Sequence, residues 1–344
     1  MNASAKTSVP SASLAAANAP SPTPHVVSGD TKPASPRNPG PSWGFSAIRL
    51  LDRVLPEFLY RPLRIAGTWV GVAAMPIQRR HSRDYLRIIL GREPLLIEIF
   101  RHFFAFEESL LIKLRAASGR IPRTVLAPGS EHFKTFVNSG RYAFLGSFHV
   151  GHSDLLGFLL GPVENHRVFM VRQRVGNSHD TEKLGALFGQ WLKFIWVNEP
   201  ENLLFALKEA VASEGSVALK CDRLEFSAKT EAFDFLGARR VFPFTIYHLA
   251  LIFAMPVLLT FGVPGASGET IIHSSPVWEP DKIRPRAANL ASAHAHFQEF
   301  LRQLEAHLRL DPYLWFNFLP LNPPASSVPA IAPETPRQRP LPVR

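Results

Sequence analysis

From Tyr142 onward the chain alternates short apolar runs with helix-like stretches, and this alternation constrains the fold more than any other feature. Strand-like runs fall at 142–148, 167–171, 194–197, 216–221 and 257–262. Helical stretches lie between them at 153–160, 180–192, 200–213 and about 243–254. The pattern predicts an α/β fold, a mainly parallel central sheet flanked by helices. In such sheets reactive groups gather at the carboxyl ends of the strands. His149 stands at one expected strand end and Asp222 at another. The charge-free run from Phe244 to Val263 is read as a buried helix followed by a central strand, because Pro256 and the β-branched, leucine-rich sequence after it argue against one long helix. A last amphipathic helix is expected over about 287–310.

The N-terminal part reads differently. Residues 1–43 are rich in Ala, Ser, Pro and Asn, and 322–344 are rich in Pro; both are expected to be disordered tails. Between them, 44–120 is expected to be a helical, membrane-associating region and 121–321 the α/β domain. Phe58–Ile77 is largely apolar but is interrupted by Arg61 and Arg64 and closed by basic residues. Its charge-free core is too short to span a bilayer, which takes roughly 20 residues. It is expected to lie at a membrane surface with its arginines at the headgroups. A second helix is expected over Glu93–Ala117.

The net charge of +10 favours anionic partners. The arginines are scattered among apolar residues, and neither zinc-finger spacing nor a continuous basic block is present, so a membrane surface is expected rather than nucleic acid. The single cysteine, Cys221, excludes an internal disulfide and a cysteine-only zinc site; no metal is expected.

Four groupings carry chemistry. His149 and Asp154 form a His-x4-Asp pair after a strand, with Gly146 and Gly151 around the turn. With the histidine in the turn and the carboxylate in the first helical turn, Asp154 would accept a hydrogen bond from one ring nitrogen and leave the other basic. His152 competes for the same role but has no carboxylate at the matching offset. Arg172, with Asn177 close behind, leaves the next strand and is expected to grip a phosphate or an oxyanion. Asp222 and Arg223 stand at a third strand end, placed to pair with each other or to position substrate. Finally, Gly237, Arg239 and Arg240 with an apolar rim suit an anionic headgroup.

In this order the pieces resemble the lysophospholipid acyltransferase superfamily, most closely its lipid A late (lauroyl/myristoyl) acyltransferase branch. The matching features are His149 and Asp154, Arg172 with Asn177, Asp222, and Gly237 with Pro243-Phe244. The chain departs from that pattern: Asp replaces the usual Glu in the first motif, and Arg223 replaces the usual glutamine. The resemblance implies an O-acyltransferase at the cytoplasmic face of the inner membrane, with catalytic His149 and Asp154 and with Arg172, Asn177, Asp222, Arg223 and Arg239 binding substrate. It implies no cofactor beyond the co-substrate, an acyl thioester of acyl carrier protein or coenzyme A, and a lipid acceptor. A non-catalytic lipid-binding protein and a thioester or ester hydrolase are the alternatives.

Overall fold

The computed structural model describes residues 42–156, 167–172, 192–197, 200–224, 227 and 229–323. The expected helix over 180–192 apart from Leu192, which begins a strand, the end of the one over 153–160, Asn177 and nearly all of both tails lie outside them.

The alternation produces the expected layers. Seven strands, β1 (Thr124–Leu126), β2 (Phe144–Gly151), β3 (Arg167–Arg172), β4 (Leu192–Trp196), β5 (Gly215–Lys220), β8 (Val257–Pro264) and β9 (Thr270–Ser274), form one sheet in the order β1-β9-β8-β2-β5-β3-β4. All pairs are parallel except β8 with β9. The five strands read from the sequence stand side by side as β8-β2-β5-β3-β4, with β4 at one edge of the sheet. The additional strands β1 and β9 are short and partly polar. A separate antiparallel ribbon joins β6 (Thr230–Phe235) to β7 (Ala238–Pro243). Its two-residue turn, Leu236-Gly237, has positive φ at both positions, the geometry of the tight hairpin turns that favour glycine.

Strand alternation sorts the apolar residues onto two faces. Phe144, Phe169, Val217 and Leu259 pack with α6 (Pro200–Ala212), α7 (Thr245–Phe253) and α8 (Arg286–Leu310). Ala143, Leu145, Val168 and Leu258 pack with Phe133, Phe136 and Val137 of α5 (Glu131–Asn138). The Phe244–Val263 run resolves into α7 and β8. Gly146 is required by close packing: a Cβ there would stand 2.5 Å from Leu259 Cδ2 and 2.9 Å from Cys221 Sγ.

The N-terminal helices are α1 (Ser42–Val54), α2 (Glu57–Ala74), α3 (Pro76–Leu90) and α4 (Leu96–Ala117). The expected 58–77 helix is thus broken at Met75, because a residue before proline is pushed out of the helical region. Among the described residues no helix is long and apolar enough to cross a membrane. The polarity of α2 is inverted. Its inward stripe is Tyr60, Arg64, Thr68 and Val72, with Arg64 Nη2 donating to Glu107 Oε2 of α4 at 2.7 Å and Nη1 to Glu57 at 3.1 Å. Its outward side carries Phe58, Leu63 and Val70, 73, 52 and 67% exposed. These helices and the sheet belong to one compact unit, residues 38–344.

Candidate active site

His149 stands on β2 itself rather than in a turn, in a stretch where β2 bulges. Between the pairs Ser147–Thr260 and Gly151–Gly262, β2 advances four residues while β8 advances two. Bulges re-aim side chains at sheet ends. The strand closes at Gly151, whose φ is +43°, and a Cβ there would stand 2.5 Å from the Gly262 carbonyl oxygen. The chain then turns through a 3-10 segment, Ser153–Leu155.

This path changes the partner of His149. Nδ1 of the ring lies 2.8 Å from Asp222 Oδ1, and the backbone N–H of His149 donates to Asp222 Oδ2 at 2.7 Å. Both carboxylate oxygens of Asp222 are therefore engaged by one residue, and its side chain is fully buried. A carboxylate accepting at Nδ1 fixes the proton there and leaves Nε2 as the basic nitrogen. Burial lowers the pKa of His149 below 6.5, with Asp222 opposing the shift and Lys220 and Arg223 adding to it. The imidazole is thus neutral at pH 7. Burial alone would raise the Asp222 carboxyl, but at the acid pH where it titrates the protonated ring of His149, its hydrogen bonds and Lys220 hold it below its ordinary value.

The expected hydrogen bond between Asp154 and His149 is replaced by a different one. Asp154 sits in the 3-10 turn, past the strand end, where its oxygens accept from Lys113 of α4 at 2.7 Å and from Lys220 of β5 at 2.9 Å. Partial desolvation beside the cavity would raise its carboxyl, but these two lysines hold it well below the usual range. Lys220 also donates to the Phe148 carbonyl at 2.8 Å. Lys113 lies in a helix read for its packing face, so nothing local in the sequence marked it.

His149, Asp154, Lys113, Lys220, Arg172 and Arg223 all line one cavity of about 340 Å3, within the range of small-ligand sites. Its charged end is built from strand ends. Two residues back along the same strands the lining turns apolar: Leu145, Ala218, Met170 and Phe194 form one cross-strand row. Arg172 closes β3 with its guanidinium 5.7 Å from the centre of the Phe194 ring. Arg223 Nε donates to Asn317 Oδ1 at 3.0 Å.

The remaining expected residues separate. Arg239 is not at this cavity. Strand alternation turns it outward on β7, and it lines a surface groove with Gly237, Glu305 and Arg309, while its neighbour Arg240 is buried and donates to the carbonyls of Phe235 and Asn322. Buried His152 bonds through Nδ1 to Thr270 Oγ1 at 2.9 Å, and burial lowers its pKa to about 4, so it acts as a packing group. The thiol of Cys221 is buried and its pKa raised, the opposite of an activated nucleophile. Among the described residues no group of three or more His, Cys, Asp or Glu side chains is arranged to hold a metal ion.

No protein-family profile matches the chain, and no curated protein matches it.

Proposed function

We propose that this chain is a membrane-associated O-acyltransferase of lipid biosynthesis that moves a fatty acyl group from a thioester of acyl carrier protein or coenzyme A to a hydroxyl of a lipid-like acceptor. The observation that carries the reading is His149, neutral, held at Nδ1 by buried Asp222, and facing a cavity that is cationic at one end and apolar along its length. Nε2 takes the proton of the acceptor hydroxyl as its oxygen attacks the thioester carbonyl carbon. The carbon–sulfur bond breaks, and the imidazolium returns the proton to the leaving thiolate. Lys113, Lys220 and Arg172 supply positive charge for the developing oxyanion or for a phosphate of either substrate. The apolar row takes the acyl chain. Asp154 holds the two lysines in place, and Arg223 borders the entrance.

The inverted polarity of α2 supports the membrane part. An apolar outward side backed by a part-buried Arg64–Glu107 pair is costly in water and suits the headgroup–acyl boundary. The helix then lies on the anionic cytoplasmic face of the membrane.

The test incubates the purified protein with an acyl thioester, with and without a long-chain alcohol or lysophospholipid acceptor. Acceptor-dependent ester formation is expected, falling about 10²- to 10⁴-fold in His149→Ala. Free fatty acid released at the same rate with or without acceptor marks a hydrolase, and wild-type transfer by the His149 variant overturns the mechanism.

A further inference from the structure

The segment that follows α8 reaches both halves of the dyad through the main chain. Trp315 pairs with Val150 in an antiparallel bridge. The Phe316 N–H donates to the His149 carbonyl at 2.7 Å. The next residue, Asn317, is 5% exposed. Its Oδ1 accepts from Arg223 Nε, which fixes the amide orientation, and its Nδ2 then donates to the Asp222 carbonyl at 3.4 Å. Asp222 in turn accepts from the N–H and the ring of His149. The contacts close a circuit: His149 to Phe316, along one peptide to Asn317, to Asp222, and back to His149.

This strap is anchored in the N-terminal helices. The Trp315 carbonyl lies 2.7 Å from Nε2 of His102 on α4, whose Nδ1 lies 2.8 Å from Ser82 Oγ of α3. His102 is buried and packs its ring 4.7 Å from that of Phe318, while Tyr85 of α3 stacks on Trp315 at 6.3 Å. Helices α3 and α4, which pack against the proposed membrane helix α2, therefore hold the strap, and the strap holds the dyad.

We propose that Asn317 is a positioning residue of the dyad, setting the place of the Asp222 turn and through it the orientation of the His149 ring. Its consequence for rate rests on the base role proposed above; the circuit itself does not. Displacement of an oriented catalytic group by about 1 Å costs up to about 10²-fold, and a 3.4 Å bond from a side chain to the carbonyl of Asp222 acts on that scale. The charged and titratable groups around His149 are Asp222, Lys220 and Arg223 of the β5 end and Asp154 of the 3-10 turn, with Lys113 of α4 and Arg172 of β3 at the same cavity.

The test reads His149 directly, by NMR titration of the full chain with 13C-labelled histidine, the resonance assigned with His149→Gln. In Asn317→Asp the shape is kept and a negative charge is added beside Asp222. The imidazolium is favoured, and the midpoint of His149 is expected to rise by about half a pH unit or more. In Asn317→Ala the low-field Nδ1–H resonance is expected to broaden or disappear, with kcat down about 10-fold and KM within about two-fold. A loss of folded protein would lower signal amplitude in both variants without moving the midpoint. If both variants titrate as the wild type and keep the Nδ1–H resonance, the inference is overturned. If the titration moves as stated while no acyl transfer occurs from any thioester, the positioning role stands and the acyltransferase reading fails.

Discussion

The turn after β5 and the turn after β2 each bring a carboxylate to the neighbourhood of His149, and they use it in opposite ways. Asp222 is fully buried and directs both oxygens at His149. Asp154 has a side chain 42% exposed and directs both oxygens at lysines. Both are held ionised, the first by the histidine and the second by Lys113 and Lys220. The carboxylate five residues away serves the cavity's charge, whereas the one 73 residues away orients the ring. Two parallel neighbours in a sheet end side by side, while a turn carries its residues off the strand, so the distant residue is the nearer one.

The largest effect expected from this comparison separates the two carboxylates. Asp222→Asn should lower kcat by about 10³-fold or more, because the amide presents a donor where the ring and the backbone already donate. Asp154→Asn should cost at least ten-fold less, chiefly in KM, since it leaves the ring oriented. Steady-state kinetics with one thioester and one acceptor would decide this, and equal losses in kcat would collapse the distinction.

Lys113→Ala removes one cation from the anionic-substrate end while leaving the dyad intact. A rise in KM of about ten-fold with kcat changed less is expected. An unchanged KM for donor and acceptor alike would remove Lys113 from the site.

A smaller effect concerns pH. The base must be neutral, so kcat/KM rises with pH through the His149 pKa and is flat above it. Burial places that pKa below 6.5, so the acid limb should lie below pH 6.5. Removing the Asp222 charge withdraws the group that favours the imidazolium, and the limb of Asp222→Asn should move to still lower pH. An acid limb above pH 7 in the wild type would contradict the lowered pKa of His149.

The smallest effect belongs to the helices. Replacing Phe58, Leu63 and Val70 together by Ser should weaken binding to anionic vesicles by about ten-fold or more and leave the thermal midpoint nearly unchanged, since all three side chains face outward. Unchanged vesicle binding measured by sedimentation would return the outward side of α2 to another role.

The sequence by itself determined the layers and several of the residues that stand at the strand ends. The alternation from Tyr142 onward is sufficient for the five adjacent strands β8, β2, β5, β3 and β4 and for α6, α7 and α8, because apolar periodicity records which side of an element is buried. It also identified His149, Arg172 and Asp222 as residues at strand ends. Only the tertiary structure decided which of them meet. The partner of His149, the capture of Asp154 by Lys113, the outward turn of Arg239 and the Asn317 strap all depend on strand order, on a bulge in β2 and on a segment beyond the last helix. Contacts between residues 41 to 213 positions apart leave no periodic trace along the chain. They arise when parallel strand ends are set side by side, and that juxtaposition, rather than the His-x4-Asp spacing, assembles the dyad.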